Sequence, residues 1–142
     1  EPLIKIAITL GYNITLIDPR DNFDKSKFDK SVIIKKQWPD EALADIGVNE
    51  DTAIVTLTHD PKLDDPALTF ALNSKAFYIG CLGSKKTHAS RIKRFKRKNF
   101  ADESLNKLNG PVGIDIKAKT PSEIACSIIA EVINKRNTNY DF

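Results

Sequence analysis

Methionine is absent from the 142-residue chain, and cysteine occurs only twice, as Cys81 and Cys126. The two cysteines are too far apart for a zinc-binding or CxxC redox motif, so the sequence indicates two reduced thiols in a cytoplasmic protein. No run approaches the ~18 apolar residues of a membrane helix. No basic segment followed by an apolar run marks a secretory signal. We therefore expect no membrane association.

Charge is nearly balanced overall, with a formal net charge of +3, but the basic residues are unevenly distributed. The chain length predicts one domain with its own hydrophobic core. One segment is strongly basic, and this pattern indicates either a solvated helix face or a surface that meets an anionic ligand. No nucleic-acid-binding motif accompanies the segment, so no nucleic acid partner is expected. Its basic residues are Lys85, Lys86, Arg91, Lys93, Arg94, Lys96, Arg97 and Lys98.

Apolar residues recur at helical spacing in some segments and as short runs in others, and the two patterns alternate along the chain. Helices are predicted over residues 2–10, 38–47, 65–72 and 102–108 and from Ser84 and Thr120 onward, and strands over 13–17, 31–35, 52–57, 76–79 and 112–116. The alternation indicates an α/β, Rossmann-like three-layer domain over residues 1–136 with a mainly parallel sheet. Residues 137–142 read as a polar tail. We expect Val55, Ile79 and Ile114 to be buried.

The predicted strands end at polar residues, and ligands of parallel α/β sheets bind outside the carboxyl ends of the strands. Asp18 closes the first visible strand and is followed by Pro19 and Arg20. An acid at this position of a dinucleotide-binding fold bonds a ribose hydroxyl. Asp18 is equally well explained as a turn residue before proline. We expect the first strand and the glycine-rich turn of such a fold to lie upstream of residue 1.

Thr58, His59 and Asp60 follow the central predicted strand. Loops at this edge of a sheet often carry function because the rigid sheet positions them. A histidine and a carboxylate here are able to bind a metal ion or transfer a proton. The alternative is a hydrogen-bonded turn in which Asp60 precedes Pro61.

A glycine-containing turn, Gly80 to Gly83, follows the fourth predicted strand and leads into the basic helix. Glycine permits close approach of the backbone to a ligand, and a helix N-terminus offers free amide hydrogens. The helix start adds the side chains of Ser84, Lys85, Lys86, Thr87 and His88, and Arg91 lies one turn beyond Thr87. This composition favours an anion or phosphate site, although the spacing differs from a P-loop. The alternative is a glycine turn with a serine cap.

Asp115 lies near the end of the fifth predicted strand. Together with His59, Asp60 and His88 it supplies the ligand types that suit a divalent ion. Nothing in the spacing requires these four residues to meet, so no metal ion is assigned.

Four segments, 57–68, 78–91, 111–116 and 119–125, together resemble the C-terminal Rossmann domain of the XdhC/CoxI family of xanthine dehydrogenase accessory proteins. The likeness holds in order, spacing and residue type, and extends from the first helix through Glu131. Each segment alone is moderately specific, and their succession is strongly so.

The resemblance implies a maturation factor rather than a metabolic enzyme. XdhC-like proteins bind the molybdenum cofactor, support its sulfuration by a cysteine desulfurase partner, and deliver it to xanthine dehydrogenase or a related molybdoenzyme. The expected ligand is therefore molybdopterin or a dinucleotide. The residues expected to bind it are Asp18, Arg20, Thr58, His59, Asp60, Gly80, Gly83, Ser84, Lys85, Lys86, Thr87, His88, Arg91 and Asp115.

The sequence is compatible with two other functions. An NAD(P)-dependent oxidoreductase would use Asp18 on the ribose and His59 or His88 as a proton donor. A docking module for a molybdoenzyme would need no ligand. A sheet edge left open invites pairing with another chain, so a homodimer is also considered.

Overall fold

The structure, a computed structural model of the chain, describes residues 1–20 and 23–139. Helices and strands alternate through these residues, which confirms the α/β class. The helices are α1 (Pro2–Thr9), α2 (Pro39–Ile46), α3 (Pro61–Leu72), α4 (Lys85–Arg97), α5 (Asp102–Leu105) and α6 (Pro121–Asn139). The strands are β1 (Thr15–Ile17), β2 (Ile33–Lys35), β3 (Ala53–Thr56), β4 (Tyr78–Cys81) and β5 (Leu108–Asn109). A short 3-10 turn lies at Lys25–Lys27.

The strands pair in parallel throughout the described residues, as the sequence predicts, but they form two sheets and not the single sheet that was expected. β1 pairs with β2, and β3, β4 and β5 form a second sheet in that order. In the second sheet Gly80 stands opposite both Val55 and Asn109. The carboxyl ends of β3 and β4 therefore lie side by side, which places the loops that lead into α3 and α4 next to each other.

Helices cover both faces of the three-stranded sheet. On one face Ile54, Leu68, Ile79 and Phe95 belong to one apolar cluster built from α2, α3, α4 and the sheet. On the other face α1 packs against α6, and Tyr78 joins the α6 side chains in a second cluster. The central strands are thus buried on both sides, as is typical of parallel strands in α/β folds.

The start of α6 is specified locally by a capping box. The backbone amide of Glu123 donates to Oγ1 of Thr120 at 3.1 Å, and Oε1 of Glu123 accepts the Thr120 amide at 3.2 Å. These reciprocal bonds satisfy amides that have no partner inside the helix. α6 continues to Asn139, so residues 137–139 of the expected polar tail are helical; 140–142 lie outside the described residues.

The predicted fifth strand over 112–116 is wrong. β5 lies earlier, at Leu108–Asn109, and the chain leaves the sheet at Gly113, where φ is 95°. A Cβ atom at Gly113 would lie 2.3 Å from Oγ of Ser127, so this turn onto α6 requires glycine. Ile114 then donates its amide to Ser127 and is 43% exposed, not buried. Of the other expected core residues, Ile79 is buried and Val55 half-buried.

The third helix begins at Pro61, four residues before the predicted start at Asp65. Asp60 caps α3 by accepting the Lys62 amide at 3.0 Å, and Pro61 occupies the first turn. Asp65, where the predicted helix begins, lies inside α3 and is buried. An Asp-Pro pair, which is typical of a helix start, occurs at residues 60–61 and again at 65–66. The helix begins at the first pair.

Among the described helices, none is both long and apolar enough to cross a membrane.

Candidate functional site

The first turn of α4 is built to present backbone amides. Ser84 caps the helix, because its Oγ accepts the Thr87 amide at 3.1 Å, and the two hydroxyls lie 3.0 Å apart. Gly83 precedes the cap with a φ of 143°, and a Cβ atom there would lie 3.0 Å from the Thr87 side chain. The first amides of a helix have no intrahelical partner and carry the positive end of its dipole.

A cavity of about 250 Å³ lies between the start of α3 and the first turns of α4, and is called here the anion pocket. Because both helices follow adjacent strands, the pocket lies at the carboxyl edge of the sheet. Nine residues line the pocket. Four of them were predicted from the sequence to bind a ligand, and the other five were not. The lining residues are His59, Pro61, Asp64, Asp65, Lys86, Thr87, Ser90, Arg91 and Arg94.

Arg91 is the buried cation of the anion pocket, with only 3% of its surface exposed. Its Nη2 donates to the carbonyl oxygen of Leu82 at 2.9 Å, and its Nη1 lies 3.1 Å from Nδ1 of His88. Its Nε is buried without a hydrogen-bond partner. In the described part of the chain no carboxylate forms an ion pair with Arg91. A buried charge without a counter-ion is costly, so this guanidinium is suited to an anion from outside the chain.

His88 supports Arg91 from outside the pocket. Burial lowers the pKa of His88, and the nearby charge of Arg91 lowers it further. The neutral ring is therefore favoured, and its Nδ1 is then able to accept the Arg91 hydrogen bond. His88 also packs against Gly110, where an added Cβ atom would lie 2.1 Å from Nδ1.

Arg94, in contrast, already has a counter-ion. Its Nε and Nη2 donate to the two carboxylate oxygens of Asp65 at 2.9 and 3.1 Å. This bidentate pair is the geometry that guanidinium and carboxylate groups prefer. The pair neutralises both groups and fixes α4 against α3.

Asp64 contributes a second carboxylate to the pocket wall, and no basic side chain among the described residues forms an ion pair with it. It is 5% exposed, and its Oδ1 accepts a 2.6 Å hydrogen bond from the hydroxyl of Thr58. Thr58 therefore acts on the pocket through Asp64 and does not itself line it. Asp60 does not line the pocket either, because its side chain caps α3.

Asp18 and Arg20 form a bidentate pair, and neither residue lines the pocket. Nε and Nη2 of Arg20 donate to the two Asp18 oxygens, both at 3.0 Å. Burial raises the pKa of Asp18, but the hydrogen bonds from Arg20 outweigh this effect and bring the pKa below its ordinary value. The hydrogen bonds to Asp18 are the main reason that the pKa of Arg20 is raised, and the charges of Asp60 and Asp64 raise it further. Each Asp18 oxygen thus already accepts a hydrogen bond from Arg20.

Three other predicted site residues lie away from the pocket. Gly80 is inside the sheet, where a Cβ atom would lie 2.6 Å from Val112 and 2.8 Å from the Tyr78 ring, so it serves packing. Lys85 is exposed on α4 outside the pocket lining. Asp115 is exposed in the loop before α6 and accepts the Lys117 amide.

Within the described residues, the four side chains that could have formed a metal site do not come together as one; they are His59, Asp60, His88 and Asp115. Across residues 1–20 and 23–139, no three His, Cys, Asp or Glu side chains are grouped so as to hold a metal ion. His59 lines the pocket with a φ of 64°, whereas His88 does not line it and packs against Gly110.

Four polar lining residues were not predicted from the sequence, because each fits the pattern of an ordinary helix face. They are Asp64, Asp65, Ser90 and Arg94. A signal was nevertheless present in the spacing. Arg91 and Arg94 are one turn apart on α4, and the two aspartates lie one turn beyond the Asp60 cap of α3.

Comparison with curated proteins identifies longer relatives. Over 95 residues the chain is 36% identical to the molybdenum cofactor insertion chaperone PaoD of Escherichia coli K12, covering 67% of this chain and 30% of PaoD. Over 136 residues it is 30% identical to a probable xanthine dehydrogenase subunit of Bacillus subtilis 168, covering 95% of this chain and 39% of that protein. The chain thus spans less than half the length of either relative.

A solved structure shares the fold. A crystal structure described as a xanthine dehydrogenase from Bacillus halodurans aligns with a TM-score of 0.81 at 28% sequence identity, over 99% of this chain and 40% of that chain. Residues 1–132 match the family described as the XdhC Rossmann domain. This chain therefore belongs to the XdhC Rossmann domain family.

Proposed function

We propose that the chain is the ligand-binding domain of an accessory factor that matures a molybdenum-cofactor enzyme of the xanthine dehydrogenase type. Membership of the XdhC family and the likeness to PaoD, a molybdenum cofactor insertion chaperone, support this role. The proposed activity is binding and delivery, and no catalytic step is assigned to the chain.

The proposal is supported chiefly by the burial and the hydrogen bonding of Arg91. This residue lines a cavity at a helix N-terminus and is 3% exposed. Within the described residues its guanidinium lacks a carboxylate partner, and its Nε has no hydrogen-bond partner. An anion bound there would gain charge-assisted hydrogen bonds and compensate the buried charge.

The residues present fit the molybdenum cofactor, whose pterin carries a phosphate. Arg91, Lys86 and the first amides of α4 would hold the oxyanion, and the hydroxyls of Thr87 and Ser90 supply further hydrogen bonds. When bound, the cofactor supplies the molybdenum centre that the recipient enzyme uses. The cavity of about 250 Å³ accommodates one end of such a ligand.

The proposed partners are a cysteine desulfurase, which sulfurates the cofactor, and the recipient molybdoenzyme. A separate sulfur donor is consistent with Cys81, because burial raises the pKa of this thiol to about 11 and its side chain is 0% exposed. Such a thiol is neither ionised nor accessible at neutral pH. The homodimer, the cytoplasmic location and the domain limits at residues 1–136 remain predictions.

The two alternatives differ in their support. The oxidoreductase is less well supported, because Arg20 occupies both oxygens of Asp18, the proposed ribose ligand. The docking module has one observation in its favour: Lys93, Lys96 and Arg97 are exposed on α4 and present a basic face to an acidic partner.

Gel filtration with molybdopterin released from a molybdoenzyme tests the proposal, with pterin fluorescence as the readout. We expect the wild type to co-elute with pterin and Arg91→Gln to bind about tenfold more weakly or worse, since a charged hydrogen bond contributes roughly 1.5–3 kcal/mol. Lys93→Gln is the matched control, because Lys93 is exposed on the same helix outside the pocket. Unchanged binding by Arg91→Gln would reject the anion pocket. Absence of pterin from the wild type would favour the docking module.

A further inference from the structure

The anion pocket contains a carboxylate that a pure phosphate site would not need. Asp64 lines the cavity at 5% exposure, and its Oδ1 is held by Thr58. Its Oδ2 has no hydrogen-bond partner within the described residues, and no basic side chain there forms an ion pair with it. The carboxylate is therefore held in place by one oxygen while the other stays free for a ligand.

The charges around the cavity favour the binding of one anionic group and disfavour a second. Asp65 and Arg94 cancel each other through their bidentate pair. Arg91 and Lys86 then remain as cations opposite Asp64, and Lys86 is exposed to water, which screens its charge. A single oxyanion beside Arg91 compensates the buried cation. A second negative group in the same cavity would face the Asp64 carboxylate, and like charges at short range are strongly unfavourable.

We propose that Asp64 is a specificity-determining residue that makes the pocket select phosphate monoesters over diphosphates. This inference rests on the proposed function, because it assigns a ligand class to the same pocket. The phosphate lies beside Arg91 and the first turn of α4, while the free oxygen of Asp64 accepts a hydroxyl or N–H group of the molecule that carries the phosphate.

The size of the cavity agrees with this assignment. About 250 Å³ is below the roughly 300–1,000 Å³ of sites that enclose a whole drug-sized ligand. The pocket thus encloses one phosphate and the adjoining polar group, and the rest of the ligand extends out of it. A diphosphate would have to place its second phosphate either against Asp64 or outside the cavity.

Isothermal titration of the full chain with inorganic phosphate, pyrophosphate, AMP and ADP tests the inference. We expect phosphate and AMP to bind about tenfold more tightly than pyrophosphate and ADP. Asp64→Asn should bring the paired affinities to within about threefold, because asparagine still accepts the Thr58 hydrogen bond but carries no charge. Asp115→Asn is the matched control, since Asp115 is an exposed aspartate away from the pocket, and it should keep the wild-type preference.

The outcomes of these titrations show which claim fails, the monoester preference or the anion pocket itself. If pyrophosphate binds as tightly as phosphate, and Arg91→Gln weakens both, the anion pocket stands and the monoester preference is rejected. If the wild type prefers monoesters but Asp64→Asn keeps that preference, the role of Asp64 is rejected. If no probe binds in an Arg91-dependent way, the anion pocket itself is rejected, and the inference with it. Should Asp64→Asn fail to fold, the wild-type ratio of AMP to ADP affinity still decides whether the preference exists.

Discussion

The hydroxyl of Tyr78 donates a 2.5 Å hydrogen bond to Oε1 of Glu131, joining the central strand β4 to α6. The same oxygen accepts the Gly113 amide at 3.1 Å, at the turn where the chain leaves the sheet. Tyr78 is 1% exposed, so water does not replace this bond while the protein is folded. One carboxylate oxygen thus connects the sheet, α6 and the loop before it.

Tyr78→Phe should lower the free energy of unfolding by about 1–3 kcal/mol, because it removes a buried hydrogen bond to a carboxylate while keeping the ring. Urea unfolding monitored by circular dichroism measures the change. Tyr12→Phe is the control, since Tyr12 is only half-buried, and its effect should stay within about 0.5 kcal/mol. Equal effects of the two substitutions would show that the Tyr78–Glu131 bond contributes nothing specific.

Stability should fall as the pH rises above about 10. Burial raises the pKa of Tyr78 above its ordinary value, and the hydrogen bond to Glu131 raises it further. The unfolded chain loses this proton at about pH 10, whereas the folded protein keeps it. The contribution is therefore complete below that pH and declines above it. Thermal unfolding between about pH 8 and 11 measures the decline, which should be shallower in Tyr78→Phe; identical slopes would contradict the prediction.

The two pocket arginines should respond differently to substitution by glutamine. Arg94→Gln leaves the Asp65 carboxylate buried without its partner and should lower the free energy of unfolding by about 1–3 kcal/mol. Arg91→Gln removes a charge that has no counter-ion among residues 1–20 and 23–139, so its loss of stability should be smaller, below about 1 kcal/mol. Urea unfolding of both variants is the measurement. A larger cost for Arg91→Gln would indicate that Arg91 has a structural rather than a binding role.

Gly80→Ala should destabilise the sheet. The added methyl group would lie 2.6 Å from Cγ2 of Val112 and 2.8 Å from the Tyr78 ring, and overpacking of this kind costs about 1–3 kcal/mol. The double variant Gly80→Ala/Val112→Ala should recover part of this loss relative to the sum of the single variants, because the nearest clash is gone. Simple additivity in urea unfolding would show that Val112 is not the obstacle.

The local features of the candidate site could be predicted from the sequence. The Ser84 cap and the glycine before it depend on residues within a few positions of each other, and the basic helix shows its own periodicity. The pairing that defines the pocket is different. Asp65 and Arg94 are 29 residues apart and read separately as members of two amphipathic helices. Only the placement of α3 beside α4 brings them together, and it leaves Arg91 without a counter-ion in the part of the chain that the structure describes.

The parallel α/β architecture follows from the amino-acid sequence, because alternating helical and strand-like periodicity is a local property of the chain. The end of the last strand and the charges that remain unpaired depend instead on the packed molecule. The segment around Ile114 has the apolar content of a strand, yet the turn at Gly113 against Ser127 carries it onto α6. Burial and ion pairing depend on distances between elements, and these distances exist only once helices pack on both faces of the sheet.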